Sequence, residues 1–291
     1  MGSRNAEVSM KKNTEKPLVS VIIPTYNRGW VVKEAIDSVL AQDFKDLELI
    51  VIDDGSTDDT QKILEDYGRD ITVLHQANCG VSAARNRGIA AAAGRLIAFL
   101  DSDDLWLAGK LSRQVAFFEA HPKALISQTE EIWVRNGVRV NPGKRHRKFP
   151  GMIFERSLAL CLVSPSAVMI KKNLLETIGG FDESLPACED YDLWLRISCR
   201  HPVYLIDTPL IVKRGGHADQ LSKAAGLDRY RISSLEKIID GGQLSRFQRQ
   251  AAVRVLKEKC TIYAGGCRRR GRDAEAIHYE DLGLRYRASS L

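Results

Sequence analysis

No stretch of this 291-residue chain approaches the ~18 unbroken apolar residues of a membrane-spanning helix, which excludes an integral helical membrane protein. The N-terminal MGSRNAEVSMKKNTEK has basic residues but no apolar segment behind them. It therefore reads as a disordered leader over residues 1–16 and not as a secretory signal. Cysteine pairs are missing as well. Cys79, Cys161, Cys188, Cys199, Cys260 and Cys267 are scattered, with no C-x-x-C and no histidine-rich zinc spacing. That excludes a thiolate zinc site and points to reduced thiols in a cytoplasm, not a disulfide framework. No internal repeat of fixed period occurs.

What remains is ordinary soluble composition, 44% hydrophobic, 27% charged and 7% aromatic, enough for one large α/β domain with an appendage. The formal net charge of +6 is concentrated at one end, because Leu221–Leu291 holds 15 Lys/Arg against 8 Asp/Glu. A second basic run contains Arg135, Arg139, Lys144, Arg145, Arg147 and Lys148 with no acid among them. Such patches either solubilise a surface or attract phosphorylated substrates, anionic headgroups or nucleic acid.

The first 120 residues alternate between two hydrophobic periods. VSVIIP (from Val19), LELIVI (from Leu47), Ile71–Leu74 and LIAFL (from Leu96) are apolar runs of buried-strand length. Helical spacing occupies Trp30–Gln42, a segment from Asp58 (which could cap it with Gln61), Ser82–Ala93 and Gly109–Ala120. Strand–helix alternation with fully apolar strands predicts right-handed βαβ units and a mostly parallel sheet flanked by helices. The loops TYNRG, DDGSTDD and DSDD then all fall at carboxyl ends of strands, the edge where open α/β sheets bind ligands. Beyond Ala124 the pattern predicts a hairpin around Asn136-Gly137. A short helix near Ile153–Cys161, a strand at Ala167–Ile170 and a helix ending at Gly179-Gly180 follow. A helix over Glu189–Cys199 and a strand at Val203–Ile206 come next, and three helices after Gly226 form a C-terminal appendage.

Three acidic clusters carry the chemistry: Asp53-Asp54, Asp101-Ser102-Asp103-Asp104, and Glu189-Asp190 with Asp192. Each alone fits a turn or a helix cap. Two of them close buried strands at one sheet edge, where carboxylates repel unless a cation or donor lies between them. Asp-x-Asp offers hard oxygens suited to Mg²⁺ or Mn²⁺, so a divalent metal and a diphosphate are the natural inference.

LVSVIIPTYNR, IVIDDGSTDDT, NCGVSAARNRGIAAAAGRLIAFLDSDD and ACEDYDLWLR, in this order, resemble the successive signatures of the family 2 glycosyltransferases. The resemblance covers Pro17 to Ser222 and implies a GT-A (Rossmann-like) domain over residues 17–225, with residues 226–291 as the helical extension. By that resemblance Pro24 and Tyr26 line the base pocket of a nucleotide sugar. Asp54, or Asp53 in its place, accepts hydrogen bonds from the base, and Arg85 is a charge partner for the diphosphate. Asp101, Ser102 and Asp103 match the DxD segment. Asp103 would hold Mn²⁺ or Mg²⁺, and Asp101 the ribose hydroxyls or a metal-bound water. His217 would complete the metal site or touch the phosphates. Asp190 matches the general base that deprotonates an acceptor hydroxyl in an inverting displacement.

The Q-x-x-R-W segment and membrane spans of the family's embedded synthases are missing, which implies one sugar per encounter. The expected donor is probed best as a UDP-sugar, and the acceptor is a hydroxyl compound, lipid-linked in one reading. The basic run and Arg268–Arg272 suggest peripheral contact with the inner membrane face, and the rival reading makes the C-terminal helices a homodimer interface. No nucleic-acid partner is expected. A catalytically inactive transferase-like binding module, or a basic adaptor, is the alternative, although an adaptor leaves the acidic loops unexplained.

Overall fold

The computed structural model describes residues 16–217, 220 and 226–286. The expected leader, apart from Lys16, and the 225/226 domain boundary lie outside or at the rim of the described residues. Four parallel strands, β1 (Val19–Thr25), β2 (Leu47–Asp53), β3 (Thr72–His75) and β4 (Leu96–Phe99), stand in the order β3-β2-β1-β4. They are linked by helices α1 (Val32–Leu40), α2 (Thr60–Glu65) and α3 (Val81–Ala91). Successive β1 side chains face opposite ways, as a strand requires. Val19, Val21 and Ile23 join a core with α1 and with α4 (Lys110–Ala120), while Ile22 packs with Ile50, Ile52 and Phe99 against α3.

Beyond β4 the sheet becomes mixed. It continues through β8 (Val168–Lys171), β6 (Ile126–Arg135), β9 (Tyr204–Gly215) and β5 (Leu105–Trp106), with β7 (Val138–Val140) paired to β6. β8 is antiparallel to both β4 and β6, whereas β9 runs parallel to β6. A parallel neighbour needs a crossover of a dozen or more residues, but β6 and β7 are joined by two, so they must be antiparallel. That turn is Asn136-Gly137, both in the left-handed region (φ 49° and 77°), as a type I′ hairpin demands.

Three sequence expectations are corrected. α2 begins at Thr60, and Asp58 makes no box with Gln61. Its Oδ1 accepts from Thr60 N (3.0 Å) and its Oδ2 from Gly29 N (3.0 Å), tying the β1 loop to α2. The helix expected over 153–161 is a single turn, α5 (Phe154–Ser157). The strand expected to end at Ile206 runs on to Gly215, because register shifts around Glu130 absorb Pro209, which has no N–H for the ladder.

α6 (Lys172–Ile178) and α7 (Glu189–Ser198) cover the second sheet face, and α8 (Leu227–Asp240), α9 (Arg246–Arg268) and α10 (Asp273–Arg285) follow. α9 starts at a reciprocal cap, with Gln248 N on Ser245 Oγ (3.3 Å) and Ser245 N on Gln248 Oε1 (3.0 Å). The apolar faces considered above for a bilayer or a second copy are turned inward only in part, since Phe247 and Ile262 of α9 and Ile277 and Leu284 of α10 stay exposed. Ile232, Leu235, Leu256, Cys260 and Leu282 pack with Phe154, Leu158, Tyr191 and Leu195 of α5 and α7. Arg268 pairs with Glu280 (2.7 Å) and Arg272 with Glu275 (3.0 Å), so part of the arginine cluster is neutralised. Among the described residues no helix is long and apolar enough to cross a membrane.

Two helix glycines test this packing in opposite directions. A Cβ on Gly88 of α3 would lie 2.5 Å from Ile22 Cγ2 and 2.8 Å from Ile52 Cδ1, whereas one on Gly283 of α10 would meet Cys260 Cβ at 3.4 Å. Alanine gains roughly 1 kcal/mol of helix propensity at either site, but overpacking costs about 1–3 kcal/mol. Gly88→Ala is expected to lower, and Gly283→Ala to raise, the midpoint of urea unfolding.

Candidate active site

The loops after β1, β2 and β3 are fastened to one another. Asn27, left-handed at φ 50°, donates its N–H to Ser56 Oγ (2.9 Å), and its Oδ1 accepts from Thr57 N (2.8 Å). Asp53 and Asp54 are each 3% exposed. Asp53 accepts from Ser56 N (3.0 Å) and lies 3.1 Å from His75 Nδ1. Asp54 accepts from Gln76 Nε2 (2.7 Å), Cys79 N (2.9 Å) and Gly80 N (2.8 Å). A carboxylate has about four acceptor positions, so Asp54 retains one for a base and otherwise shapes the loop leading into α3. Pro24 is buried inside β1, and Tyr26, 43% exposed, is the aromatic at the mouth.

Arg85 departs from the expected diphosphate partner. Its side chain is buried, with Nη1 on Glu189 Oε1 (2.6 Å) and Nη2 on Asp101 Oδ1 (2.7 Å), and its Nε has no hydrogen-bond partner. Both fork ends are thus closed by carboxylates, and the arginine joins the β4 loop to the start of α7. Burial works against its charge, but Asp101 and Glu189 outweigh that and raise its pKa. The Phe181 ring lies under the guanidinium at 5.0 Å.

Around Asp103 the donor set is carboxylate and imidazole. Asp103 Oδ2 is 2.8 Å from His217 Nε2, and His217 meets the exposed Trp30 edge-on at 5.5 Å. Ser102 beside it is buried. Asp104 accepts from Ser166 Oγ (2.6 Å) and Arg214 N (2.8 Å), and Ser166 Oγ also accepts from Asp101 N (3.1 Å). Burial first, then neighbouring carboxylates, raise the pKa of Asp103 and, more strongly, of Asp104. A crowded, partly desolvated group of acids with an imidazole at hand fits a divalent cation. Among the described residues no three His, Cys, Asp or Glu side chains are grouped so as to hold a metal ion.

Asp190 stands in the first turn of α7, after Cys188 in the left-handed region (φ 62°). Its Oδ1 accepts from Tyr191 N (2.7 Å), and its Oδ2 lies 3.5 Å from Cys161 Sγ. Burial and then Asp190 push the Cys161 thiol up, and burial pushes Cys188 up to about 12. Both thiols are therefore neutral neighbours of the carboxylate, not nucleophiles.

Lys213 was not among the expected site residues. On β9, its Nζ donates to Ser164 Oγ (3.1 Å). Burial disfavours its charge, yet Glu131, Asp104, Asp101 and Asp190 prevail and raise its pKa. The signal was the KRGGH segment itself, hidden because Pro209 made the preceding strand read as ended.

The family model "Glycosyl transferase family 2" matches residues 20–179, and "Glycosyltransferase like family 2" matches residues 149–237. An uncharacterized glycosyltransferase, RP339 of Rickettsia prowazekii, is 34% identical over 221 residues, covering 74% of this chain and 69% of the relative. The Escherichia coli protein WfaP, a UDP-Glc:alpha-D-GlcNAc-diphosphoundecaprenol beta-1,3-glucosyltransferase, is 35% identical over 188 residues, 62% of this chain and 70% of the relative. Among solved structures, S. aureus TarS 1–349 in complex with UDP-GlcNAc superposes with a TM-score of 0.67 at 23% identity, covering 84% and 71% of the two chains. The mannosyltransferase PcManGT from Pyrobaculum calidifontis, in complex with GDP-Man and Mn²⁺, gives 0.57 at 18% identity over 93% and 88%. With matched family models over most of its length and relatives of this similarity, the chain belongs to the family 2 glycosyltransferases and has their GT-A fold.

Proposed function

We propose that the protein transfers one sugar from a nucleotide sugar, UDP-linked, to an acceptor hydroxyl with inversion, in the assembly of a cell-surface polysaccharide or glycolipid. The observation that carries this reading is the Arg85 bridge, which holds the Asp101–Asp103 loop and the Glu189-Asp190 turn around one cleft. Support for the donor comes from WfaP, whose name specifies UDP-Glc, and from TarS, solved with UDP-GlcNAc and with UDP. WfaP's named acceptor, a diphosphoundecaprenol-linked sugar, supports a lipid-linked acceptor here.

In this reading Tyr26 stacks on the base, and Asp54 keeps one acceptor position toward it. Asp101 and Ser102 border the ribose and diphosphate. Arg85 acts at one remove, by fixing Asp101. Asp103 and His217 would hold Mn²⁺ or Mg²⁺, which when bound supplies positive charge beside the departing diphosphate. Asp190 takes the proton of the attacking hydroxyl. Holding donor and acceptor in line contributes the orientational advantage. Residues 17–225 form the transferase domain, and residues 226–291 an extension that buttresses α7. The scattered cysteines and exposed basic hairpin favour a cytoplasmic protein in peripheral contact with the inner membrane face. A homodimer through α8–α10 is the rival reading, with Phe247, Ile262, Ile277 and Leu284 left exposed for a second copy while the rest of their apolar faces pack on α5 and α7. An inactive binding module is the remaining alternative, and metal-dependent loss of sugar in a mass-spectrometric screen of UDP- and GDP-sugars distinguishes turnover from binding alone.

Asp103→Asn is expected to abolish the Mn²⁺-dependent part of UDP binding in calorimetry while the ligand-free melting temperature changes little, because an amide is a far weaker ligand for a hard cation. Unchanged affinity would remove Asp103 from the metal site. Asp190→Asn should lower turnover by roughly 10²–10⁴-fold and leave donor affinity nearly intact. A collapse of donor affinity would instead make Asp190 a donor contact.

Arg85→Met leaves Asp101 and Glu189 facing each other without a cation. Losing one partner of a buried pair costs about 3–5 kcal/mol, to be read from urea denaturation near neutral pH. Burial already raises the Glu189 pKa above that of an unfolded glutamate, so its ionisation opposes folding. The deficit of the variant should therefore shrink as pH falls through the carboxyl range and grow as pH rises. A deficit independent of pH would refute the electrostatic origin.

A further inference from the structure

Beside the Trp133–Lys213 pair lies a cavity of about 240 Å³, lined by Glu130, Glu131, Trp133 and residues of the 142–148 segment. It is smaller than the roughly 300–1,000 Å³ of pockets for drug-sized ligands, and suits a single phosphate with part of a sugar ring. Trp133 stands opposite Lys213 in the β6–β9 register, with the Lys213 ammonium 5.8 Å from its ring. The Arg135 guanidinium lies 5.1 Å from the same ring, and the His146 imidazole is tilted against it at 5.0 Å.

The charges in this cavity do not cancel. Glu131 is closed off by Lys148 Nζ (2.8 Å) and by Trp133 Nε1 (2.7 Å), and the buried Lys148 also donates to Thr129 O (3.1 Å). Burial, with the charges of Glu131 and Asp207, raises Glu130 against the pull of Lys148. Lys144 and Arg147 stand exposed at the rim with no ion pair to an acid among the described residues, and Arg147 lies over the Phe149 ring at 5.4 Å. His146 reports the resulting field: after burial, it is the positive charges of Arg145, Lys213 and Arg135 that hold its pKa below the usual range.

We propose that this cavity is the acceptor subsite and that it takes a phosphate group carried by the acceptor, with Lys144 and Arg147 as the oxyanion contacts and Trp133 as its floor. An arginine fork beside a lysine matches a phosphate's several oxygens better than a neutral glycan. Trp133 lines the cavity and meets Lys213, which in turn lies in the field of Asp190, so an acceptor held here by its phosphate would stand next to the transfer site. The assignment rests on the proposed transferase reading and adds the class of its acceptor.

The test fills the donor pocket with saturating UDP and Mg²⁺, then titrates inorganic phosphate, and separately geranyl phosphate, by calorimetry and tryptophan fluorescence. Saturable binding is expected for the wild type. The double variant Lys144→Glu/Arg147→Glu, which changes only exposed side chains, should weaken it at least tenfold while UDP affinity holds, and Trp133→Phe should remove most of the fluorescence response. Equal affinity for the two probes assigns recognition to the phosphate alone, and tighter geranyl phosphate assigns a lipid-linked acceptor. Either result supports the subsite. No saturable binding, binding displaced by UDP, or binding unmoved by the charge reversal overturns it. Failure of UDP to bind at all would count against the transferase reading instead, so the two failures are distinguishable.

Discussion

The buried guanidinium of Arg85 is the constraint on which the site depends. A fork bound at one end to Asp101 and at the other to Glu189 fixes two segments far apart in sequence, one closing a parallel strand and one opening a helix. Glu189, buried at that junction, would carry the cost of an unpaired charge without the arginine, and desolvating such a charge costs several kcal/mol. The arginine thus makes the acidic cleft affordable in stability, and it sets the spacing between the Asp103 side and the Asp190 side. A lysine would have to serve both carboxylates from one ammonium, which lacks the planar fork that holds them apart at fixed positions.

α7 must be as rigid as that bridge if Asp190 is to keep its position, and it is clamped from two directions. Leu193, Trp194 and Ile197 enter the core beneath the sheet, whereas Tyr191 and Leu195 enter the core made with α8–α10. Tyr191 also donates its hydroxyl to Leu158 O at 2.6 Å. Seen this way, the C-terminal helices are the outer wall of the helix that carries the candidate base. Most of their apolar residues are buried inside the molecule, while Phe247, Ile262, Ile277 and Leu284 face outward among the charges.

Local pattern was enough to anticipate the parallel half of the sheet, the Asn136-Gly137 hairpin and all three C-terminal helices, because each depends on neighbours in sequence. It also marked the acids, since Asp in a strand-end loop is visible without a structure. The cations that balance them were not visible. Arg85 looks like any helix arginine until Glu189, 104 residues on, is folded against it. Lys213 sits past a proline that ended the expected strand, and only the register shift at Glu130 carries β9 far enough to bring it among Asp101, Asp104 and Asp190. Long-range pairing of charges is set by topology, which a one-dimensional periodicity does not contain.

The charge distribution also explains why the cleft is built around two fixed cations and an incomplete third site. Arg85 compensates Asp101 and Glu189, and Lys213 stands among Asp104, Asp101, Asp190 and Glu131. Asp103 has the imidazole of His217 at 2.8 Å and lies in the field of Arg28. It is thus the acid whose nearest partner is an imidazole and not the buried guanidinium that holds Asp101 and Glu189. Under the proposed reading, a nucleotide diphosphate entering there would gain by bringing a metal ion with it, since that ion would offset the repulsion between its phosphates and the acids of this sheet edge.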